Sequence, residues 1–562
     1  MEAQLPPESW DRLRESKEYA FYERIFCRIP EELFADLYSE SPATRPNTPI
    51  NVLVGAMILQ HQYDWTFEEL MDRIHFDLKV RAALGLWSLD QLAFSRATLF
   101  NFQKRLRDHM VATGTDKFQG VFDGLNEKDL EEFELNGKIQ RCDSTQVGSN
   151  IRQFTRIELL VEVVMRMWRV LTDADKVLHA ERFAPYVAAR TSGQFVYRLC
   201  RSDIDGALEQ LGAFYAWMVE ALKAGYGSTE IHHIAVRVFT EHFTRVEEKI
   251  AVRAADQIAS DALQSPDDPD ATFHRKDEAR YHGFVLHATE TADPECDLRL
   301  IVDVAVRPNN QADGSILHDR LTEMHLKTPG LQELHTDASY GSEDNDRLQA
   351  RLGIEAVQTA IRGRTPRAPM HVHQDETGIH VRCAAEHEVQ AEATRSPDHF
   401  KAEFTAAHCT GCPFAGKCLT QLRASGGRTF YFTDADVLRQ ARHRRNETLP
   451  PERRTLRANI EATMKQYKAP CRKGKLRTRG LAAASRYGFL RAIAINFGRI
   501  YRHLRRKSPR PAIPVSAPMP ASPHLALLQR FPAFLRRPAL PPSSYRRGRC
   551  TLRTSFTRAQ TV

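Results

Sequence analysis

The sequence predicts an α/β core with helical regions before and inside it. Three observations carry that prediction. Residues 1 to about 120 show apolar residues at helical spacing and no strand pattern. Over about 280–361, strand-like and helix-like stretches alternate. Between these regions one strand, Lys138 to Val147, precedes a long helical stretch, so the core begins there and is then interrupted.

Taken in order, Phe21 to Tyr38 reads as an amphipathic helix interrupted by Pro30. Asn51 to Leu59 opens a second helical run after Pro46 and Pro49, and Phe67 to Ile74 and Leu78 to Leu84 continue the pattern. Ser95 is placed to cap a helix running on to Leu106. That helix carries Arg96, Thr98, Asn101, Lys104 and Arg105, which suits either a helix-turn-helix reader of DNA or an ordinary surface helix.

Asn136-Gly137 is a turn signal. The strand after it runs out into Asp143-Ser144-Thr145-Gln146, a carboxylate among small hydroxyl residues. Residues 152–261 return to the helical period, with Leu159, Leu160, Val163, Val164 and Trp168 as a core stripe. Strands follow at Phe284 to Ala288 and Leu298 to Val306, then a helix at Leu317 to Thr328. A short strand from Leu331 ends at Asp337, followed by a helix at Glu343 to Leu352 and a strand at Gly353 to Ile361. Residues 365–450 read as irregular and hold a cysteine cluster. A basic apolar helix is expected from Leu481 to Leu504.

The chain has 562 residues, 42% of them hydrophobic and 27% charged, as in globular proteins of two to four domains. There is no apolar run long enough to span a bilayer, and the first residues lack the pattern of a signal peptide. No membrane association is expected, and the expected location is the cytoplasm. The net charge of +8 hides an asymmetry. After Glu461 there are 23 Lys and Arg and no acid, so residues 1–461 carry 56 bases against all 71 acids, a net of −15. An acidic body with a basic C-terminal fifth points to a polyanionic partner or to a solvated basic tail. Residues 506–562, rich in Pro, Ser and Arg, are expected to be disordered.

The densest chemical signal is Arg453 to Lys468, expected as one continuous helix. Leu456, Ile460 and Met464 share one side. Arg454, Arg457, Glu461, Lys465 and Lys468 occupy the adjoining side, so a lone carboxylate stands in a stripe of cations. Such a face can hold a metal ion on the acid and phosphates on the bases, or it can be an exposed helix with ion pairs. Together with Asp143 and Asp337, each at a strand end, Glu461 completes three acids that could hold two Mg²⁺ ions.

These segments resemble those of DDE-type insertion-sequence transposases, in the group with a helical N-terminal domain and a Cys-rich insert. Asp143-Ser144-Thr145-Gln146-Val147 with Ser149-Asn150-Ile151 is similar to the segment of the first acid. Thr336-Asp337-Ala338-Ser339-Tyr340-Gly341-Ser342 is similar to that of the second. Arg457, Glu461 and Lys468 keep the spacing R-x3-E-x6-K of the third, and Asp270-Ala271-Thr272 and residues 46–107 also resemble family segments. Where many relatives carry Tyr two residues before the Arg of a Y-x2-R-x3-E-x6-K pattern, this chain has Arg454, so a tyrosine-specific role does not carry over.

The resemblance implies an RNase H-like catalytic domain at 135–505, with a helical insert at 152–261 and a Cys-rich insert at 365–450. It places a helical DNA-binding domain at 1–120, where Arg96 and Lys104 are candidate contacts. It also implies catalytic Asp143, Asp337 and Glu461 with two Mg²⁺, and DNA contacts by Arg457 and Lys468; Lys465 and Arg454, on the same cationic stripe, are further candidates for DNA contacts. The expected reaction is cleavage at transposon ends, the terminal inverted repeats, and strand transfer into target DNA. A dimer would hold two ends together, in the cytoplasm and on the nucleoid. A nuclease without strand transfer and an inactive DNA-binding repressor are the alternatives. Cys383, Cys409, Cys412 and Cys418, spaced C…C-x2-C-x5-C, fit a structural Zn²⁺ site or four reduced thiols, with His408 and His387 as substitutes for Cys383.

Overall fold

Side-chain oxygens at helix starts set the order of the N-terminal region. The structure, a computed structural model, describes residues 5–38, 48–91, 94–247, 249–358 and 368–507, without the side chains of residues 201 and 454. The expected tail at 506–562 therefore lies almost wholly outside the described residues. Helices α1 (Pro7–Arg14), α2 (Lys17–Arg24), α3 (Ile50–Tyr63), α4 (Phe67–Phe76), α5 (Leu78–Ala83), α6 (Arg96–Thr113) and α7 (Lys117–Glu132) come first. Ser16, Thr66, Asp77, Ser95 and Asp116 each accept a backbone N–H of the first turn they precede. Helix α3 is buried from Val52 through Leu59, as a helix apolar on all sides must be. The helix expected at Phe21 to Tyr38 is interrupted at Pro30 as the sequence predicts, and it also breaks earlier. It ends at Arg24 and resumes as two tight turns, Phe26–Arg28 and Glu31–Leu37, on either side of Pro30.

The main sheet begins with β1 (Ile139–Gly148). An insertion follows: α8 (Arg156–Val170), α9 (Asp173–Val187), α10 (Ser192–Tyr197), α11 (Ile204–Ala221), α12 (Lys223–Tyr226) and α13 (Glu230–His242), closed by a hairpin of β2 (Phe243–Val246) and β3 (Lys249–Val252). It has its own core around Leu160, Val164, Phe183, Leu211, Tyr215 and Val238. The sheet resumes with β4 (Thr272–Lys276), β5 (Ala279–Thr291) and β6 (Ile301–Pro308), then α14 (Asp313–Lys327), β7 (Glu333–Thr336), α15 (Glu343–Leu352) and β8 (Glu355–Gln358). The last expected strand runs on into residues outside those described.

In space the order is β4-β5-β1-β7-β8, with β6 also on β5. Gly283 is partnered by Gly148 on one side and Thr272 on the other, so β4 and β6 share the edge of β5 away from β1. β5 is antiparallel to β1 and β6, whereas β7 is parallel to β1 and β8 to β7. At Gly283, φ is +149° and an added Cβ would meet the Val147 carbonyl oxygen at 2.5 Å, so only glycine fits that close crossing.

Residues 368–450 are not irregular, as the sequence suggested. They form a second sheet of β9 (His371–Asp375), β10 (Gly378–Arg382), β11 (Glu388–Ala393) and β12 (His399–Phe404). After the short α16 (Ala406–Cys409) come β13 (Gln421–Leu422) and β14 (Arg428–Thr433), in the order β13-β14-β12-β11-β10-β9. Val372, Val381, Ala402, Phe404 and Phe432 bury one face. Alternating His, Glu, Gln and Lys fill the other positions and dilute the period-two signal.

Helix α17 (Asp434–Thr448) packs on this sheet and leads to α18 (Pro451–Arg454), α19 (Ile460–Lys468) and α20 (Leu481–Lys507). The continuous helix expected over Arg453 to Lys468 is interrupted. Thr455 and Leu456 keep right-handed dihedrals, and the chain then tightens into a 3₁₀ turn at Arg457–Asn459. The break exposes the Leu456 carbonyl, which accepts from Arg141 Nη1 at 2.7 Å. Leu456, Ile460 and Met464 are buried as expected. α19 and α20 share a core with Val147, Phe284, Leu286 and the N-terminal helices. α14 contributes Leu317, Leu321 and Met324 to a separate core with Cys142 and Leu334. The architecture is mixed α/β with a helical N-terminal region. Among the described residues no helix is long and apolar enough to cross a membrane.

Candidate active site

Strand register brings the first two acids together. Arg141 of β1 stands beside His335 of β7 in a parallel ladder that ends there; two residues further on, Asp143, still within β1 and paired with β5, and Asp337, the first residue past β7, come close at that point. Neighbouring strands lie about 4.8 Å apart. Asp143 is 9% exposed, and its Oδ1 accepts the Ser144 N–H at 2.8 Å. Asp337 begins the turn after β7, where its Oδ1 accepts the Ser339 N–H at 2.7 Å and the Ser339 hydroxyl. Glu461 lies in the first turn of α19, which rests on β1 through buried Ile460 and Met464.

One guanidinium joins the three acids. Arg457 Nη2 lies 2.9 Å from Asp143 Oδ2 and 3.6 Å from Asp337 Oδ2, and its Nη1 lies 3.9 Å from Glu461 Oε1. Burial pushes the Asp143 carboxyl up from its usual range, and the charge of Arg457 opposes that rise. Three carboxylates and one cation leave a formal charge of −2 at the end of the sheet, a setting that attracts further cations. Among the described residues, no group of three or more His, Cys, Asp or Glu side chains is spaced to hold a metal ion as it stands. The donor chemistry nevertheless fits Mg²⁺: all three groups are hard oxygen donors, and all three already face one positive charge.

One partner of the acids gave no sequence signal, and another stood out only as part of a segment. The Ser339 hydroxyl lies 2.8 Å from Asp313 Oδ2 while also reaching Asp337. It has one proton for two carboxylates, so it links a fourth acid to the cluster. Asp313 is the first residue of α14 and reads in the sequence as an ordinary acid of a first helical turn. On the opposite face of β1, His287 pairs across from Ser144 and is fully buried, with its ring against Tyr340. Burial lowers its pKa to about 4, so it stays neutral at pH 7.

The predicted basic contacts divide into two groups. Lys465 and Lys468 are exposed on α19 and make no ion pair among the described residues. Arg457 points into the acids, and the side chain of Arg454 lies outside the described residues. Arg96 is paired with Glu68 at 2.9 Å and Lys104 with Asp108 at 3.1 Å, so both are partly neutralised within the helical region. Ser95 does cap α6, accepting from Thr98 N–H. Leu99, Phe102 and Leu106 tie that helix into the core.

Cys383, Cys409, Cys412 and Cys418 line one pocket, with His408, Phe404, Phe414 and Arg428. The grouping expected from their spacing is therefore present. The expected zinc site is not supported, because no three of these side chains converge at ligand spacing. Burial raises the Cys409 thiol and favours its neutral form. Neutral thiols pack against Phe404 and Met370 without needing a cation, which is the physical reason the pocket can exist as an apolar one. His387 stacks on His408 with ring centroids 4.9 Å apart.

Residues 382–501 match a family model described as Transposase DDE domain. Residues 8–105 match a second, Transposase domain (DUF772). The first match contains Arg457, Glu461 and Lys468; Asp143 and Asp337 fall outside both. No curated protein and no solved structure matches the chain.

Proposed function

We propose that this chain, a member of the DDE-type insertion-sequence transposases by its two family matches, cuts DNA at the ends of an element and joins the freed ends to target DNA, using Asp143, Asp337 and Glu461. The observation that carries the reading is the single guanidinium of Arg457 within 3.9 Å of all three carboxylates. Acids 124 and 194 residues apart in sequence, read from their numbers, do not gather on one cation by chance of composition. The strand order, with three antiparallel strands followed by two parallel ones, supports an RNase H-like core. On this reading the second sheet is the Cys-rich insert.

Asp143, Asp337 and Glu461 would hold two Mg²⁺. When bound, these supply a polarised phosphodiester, an activated water or 3′ hydroxyl and a stabilised leaving oxygen. The residues themselves do the positioning. Rigid β1 and β7 fix two carboxylates, and α19 brings the third. The Ser339 N–H holds one oxygen of Asp337 so that its other oxygen faces the cluster. With the acids committed to Mg²⁺, Arg457 would be free to contact a DNA phosphate, and Lys465 and Lys468, exposed on the same helix, would hold phosphates along it. The partners are terminal inverted repeats and target DNA, and a dimer holds two ends, as expected for a nucleoid-associated enzyme.

A second reading, a transposase-derived DNA-binding repressor that no longer cuts, is favoured by the lack of metal-ligand spacing among the acids. One experiment separates the two. Nicking and strand transfer are measured with Mg²⁺ on DNA carrying the element's ends, for the parent and for Asp143→Ala, Asp337→Ala and Glu461→Ala. The transposase reading expects activity in the parent alone, with DNA affinity kept in all four. A parent that binds these ends but never cuts them sinks it in favour of the repressor, and cutting without joining reduces it to a nuclease.

A further inference from the structure

On the flank of α19 away from Glu461 lies a cleft of about 260 Å³, lined by Asn459, Thr463, Arg299, Arg499, Arg502 and Arg506 among others. Its floor is an unbalanced buried cluster. Glu290, 1% exposed, takes Arg141 at 2.5 and 2.7 Å through one oxygen. Its other oxygen takes Arg499 at 2.8 Å and the Thr463 hydroxyl at 2.6 Å. One carboxylate thus faces two guanidinium groups, and the floor keeps a net charge of +1. Burial acts to raise the Glu290 carboxyl, but Arg499 and Arg141 hold it below its ordinary range, so it stays ionised.

The walls add to the excess. Arg499, Arg502 and Arg506 follow one stripe of α20 at spacings of three and four residues. Arg502 and Arg506 are exposed and make no ion pair among the described residues. Arg299 Nη1 is a buried donor with no acceptor in reach, which costs stability unless a ligand supplies one. Among the described residues, Asp297 is the only lining acid apart from the committed Glu290.

We propose that this cleft is a second binding site for the phosphate backbone of DNA, separate from the acid cluster and on the other side of the same helix. An unmet guanidinium donor beside two uncommitted arginines suits phosphodiester oxygens, which take arginine in a fork. Asn459, Ala462 and Thr463 line the cleft while Glu461, Lys465 and Lys468 occupy the opposite flank, so a strand crossing the exposed back of α19 meets cations on both sides. The sequence continues beyond Lys507 with further arginines and no acid, which favours a long polyanion over a small one. The assignment of DNA as the polyanion rests on the proposed function, but binding through the cleft does not depend on whether the acids cut.

The test uses the full chain without divalent ions and a labelled duplex of arbitrary sequence, followed by anisotropy over a series of salt concentrations. Arg502→Glu with Arg506→Glu is compared with Arg505→Glu with Lys507→Glu, the same charge change on α20 outside the cleft lining. The cleft pair should weaken binding about tenfold or more and make the salt dependence shallower by about two ions, while the control pair changes both far less. Equal effects from the two pairs, or none from either, overturn the proposal. So does a cleft pair that keeps DNA affinity while losing a thermal shift that inorganic phosphate gives the parent, since the site would then take small anions only. Cleavage by the acid-site variants is read separately, so a failed transposase reading leaves this result standing or falling by itself.

Discussion

The acid cluster and the cysteine cluster are two gatherings of ligand-type side chains, and they are held together by opposite physics. Three carboxylates repel one another, and the structure brings them together only around Arg457. Four cysteines are neutral when protonated, and they gather as small apolar groups against Phe404 and Met370. A cation already present marks the first as a place where a cation belongs. Arg428 lines the second as well, but its guanidinium donates to the Ala415 and Thr420 carbonyls rather than joining the sulfurs, and spacing in the sequence does not distinguish the two cases.

The comparison can be broken or sharpened in turn. The largest effect is expected from Asp143→Asn, which keeps the shape and removes the charge: cleavage should fall about a thousandfold, on the scale of losing one electrostatic contact to a transition state. Retained cleavage would remove β1 from the chemistry. Next, Arg457→Gln should destabilise the protein by about 1–3 kcal/mol in denaturant, because partly buried Asp143 loses its ionic hydrogen bond. Added Ca²⁺ should restore more stability to this variant than to the parent; equal restoration would mean that the guanidinium and the metal do not compete for the acids.

Ser339→Ala removes the hydroxyl between Asp313 and Asp337 and should weaken divalent-ion affinity about 10–100-fold in titration calorimetry, with the fold intact. An unchanged affinity would make that bridge incidental. The smallest effect concerns the thiols. In reduced protein, Cys409 should alkylate more slowly than exposed Cys27 and faster as pH rises, with no effect of a chelator. If Cys409 reacts only after chelation, the thiols hold a metal after all, and the contrast with the acids collapses.

Much of the main sheet was legible because its signals are local. Asp337 follows a short apolar strand, Ser95 caps the helix expected after it, and Glu343–Leu352 lies where its period places it, whereas Asp143, expected at a strand end, lies midway along β1. The second sheet was missed because its strands bury few residues each, and His, Glu and Lys between them look like loop composition. The break before α19 was missed because every residue there is helix-compatible; Arg141, 315 residues away in sequence, captures the freed Leu456 carbonyl. Asp313, and the role of Ser339 inside the segment around Asp337, were invisible for the same reason: a hydroxyl shared by two carboxylates exists only once β7 and α14 have met. The three acids were singled out by strand or helix context and by resemblance to family segments, and the cation they share became visible only in three dimensions.

The insertion between β1 and β5 has a consequence for how the chain reaches this state. These two strands are neighbours over nine residue pairs, yet roughly 130 residues separate them in sequence. The inserted helices carry an apolar core of their own and depend on near contacts, so they can condense early. β1 must then wait, its edges unpaired, until synthesis has delivered β5. During that interval Asp143 sits on an open strand. The strand left waiting is thus the one that later carries the first acid, and a slow, late step that closes β5 onto β1 should set the refolding rate of the whole protein.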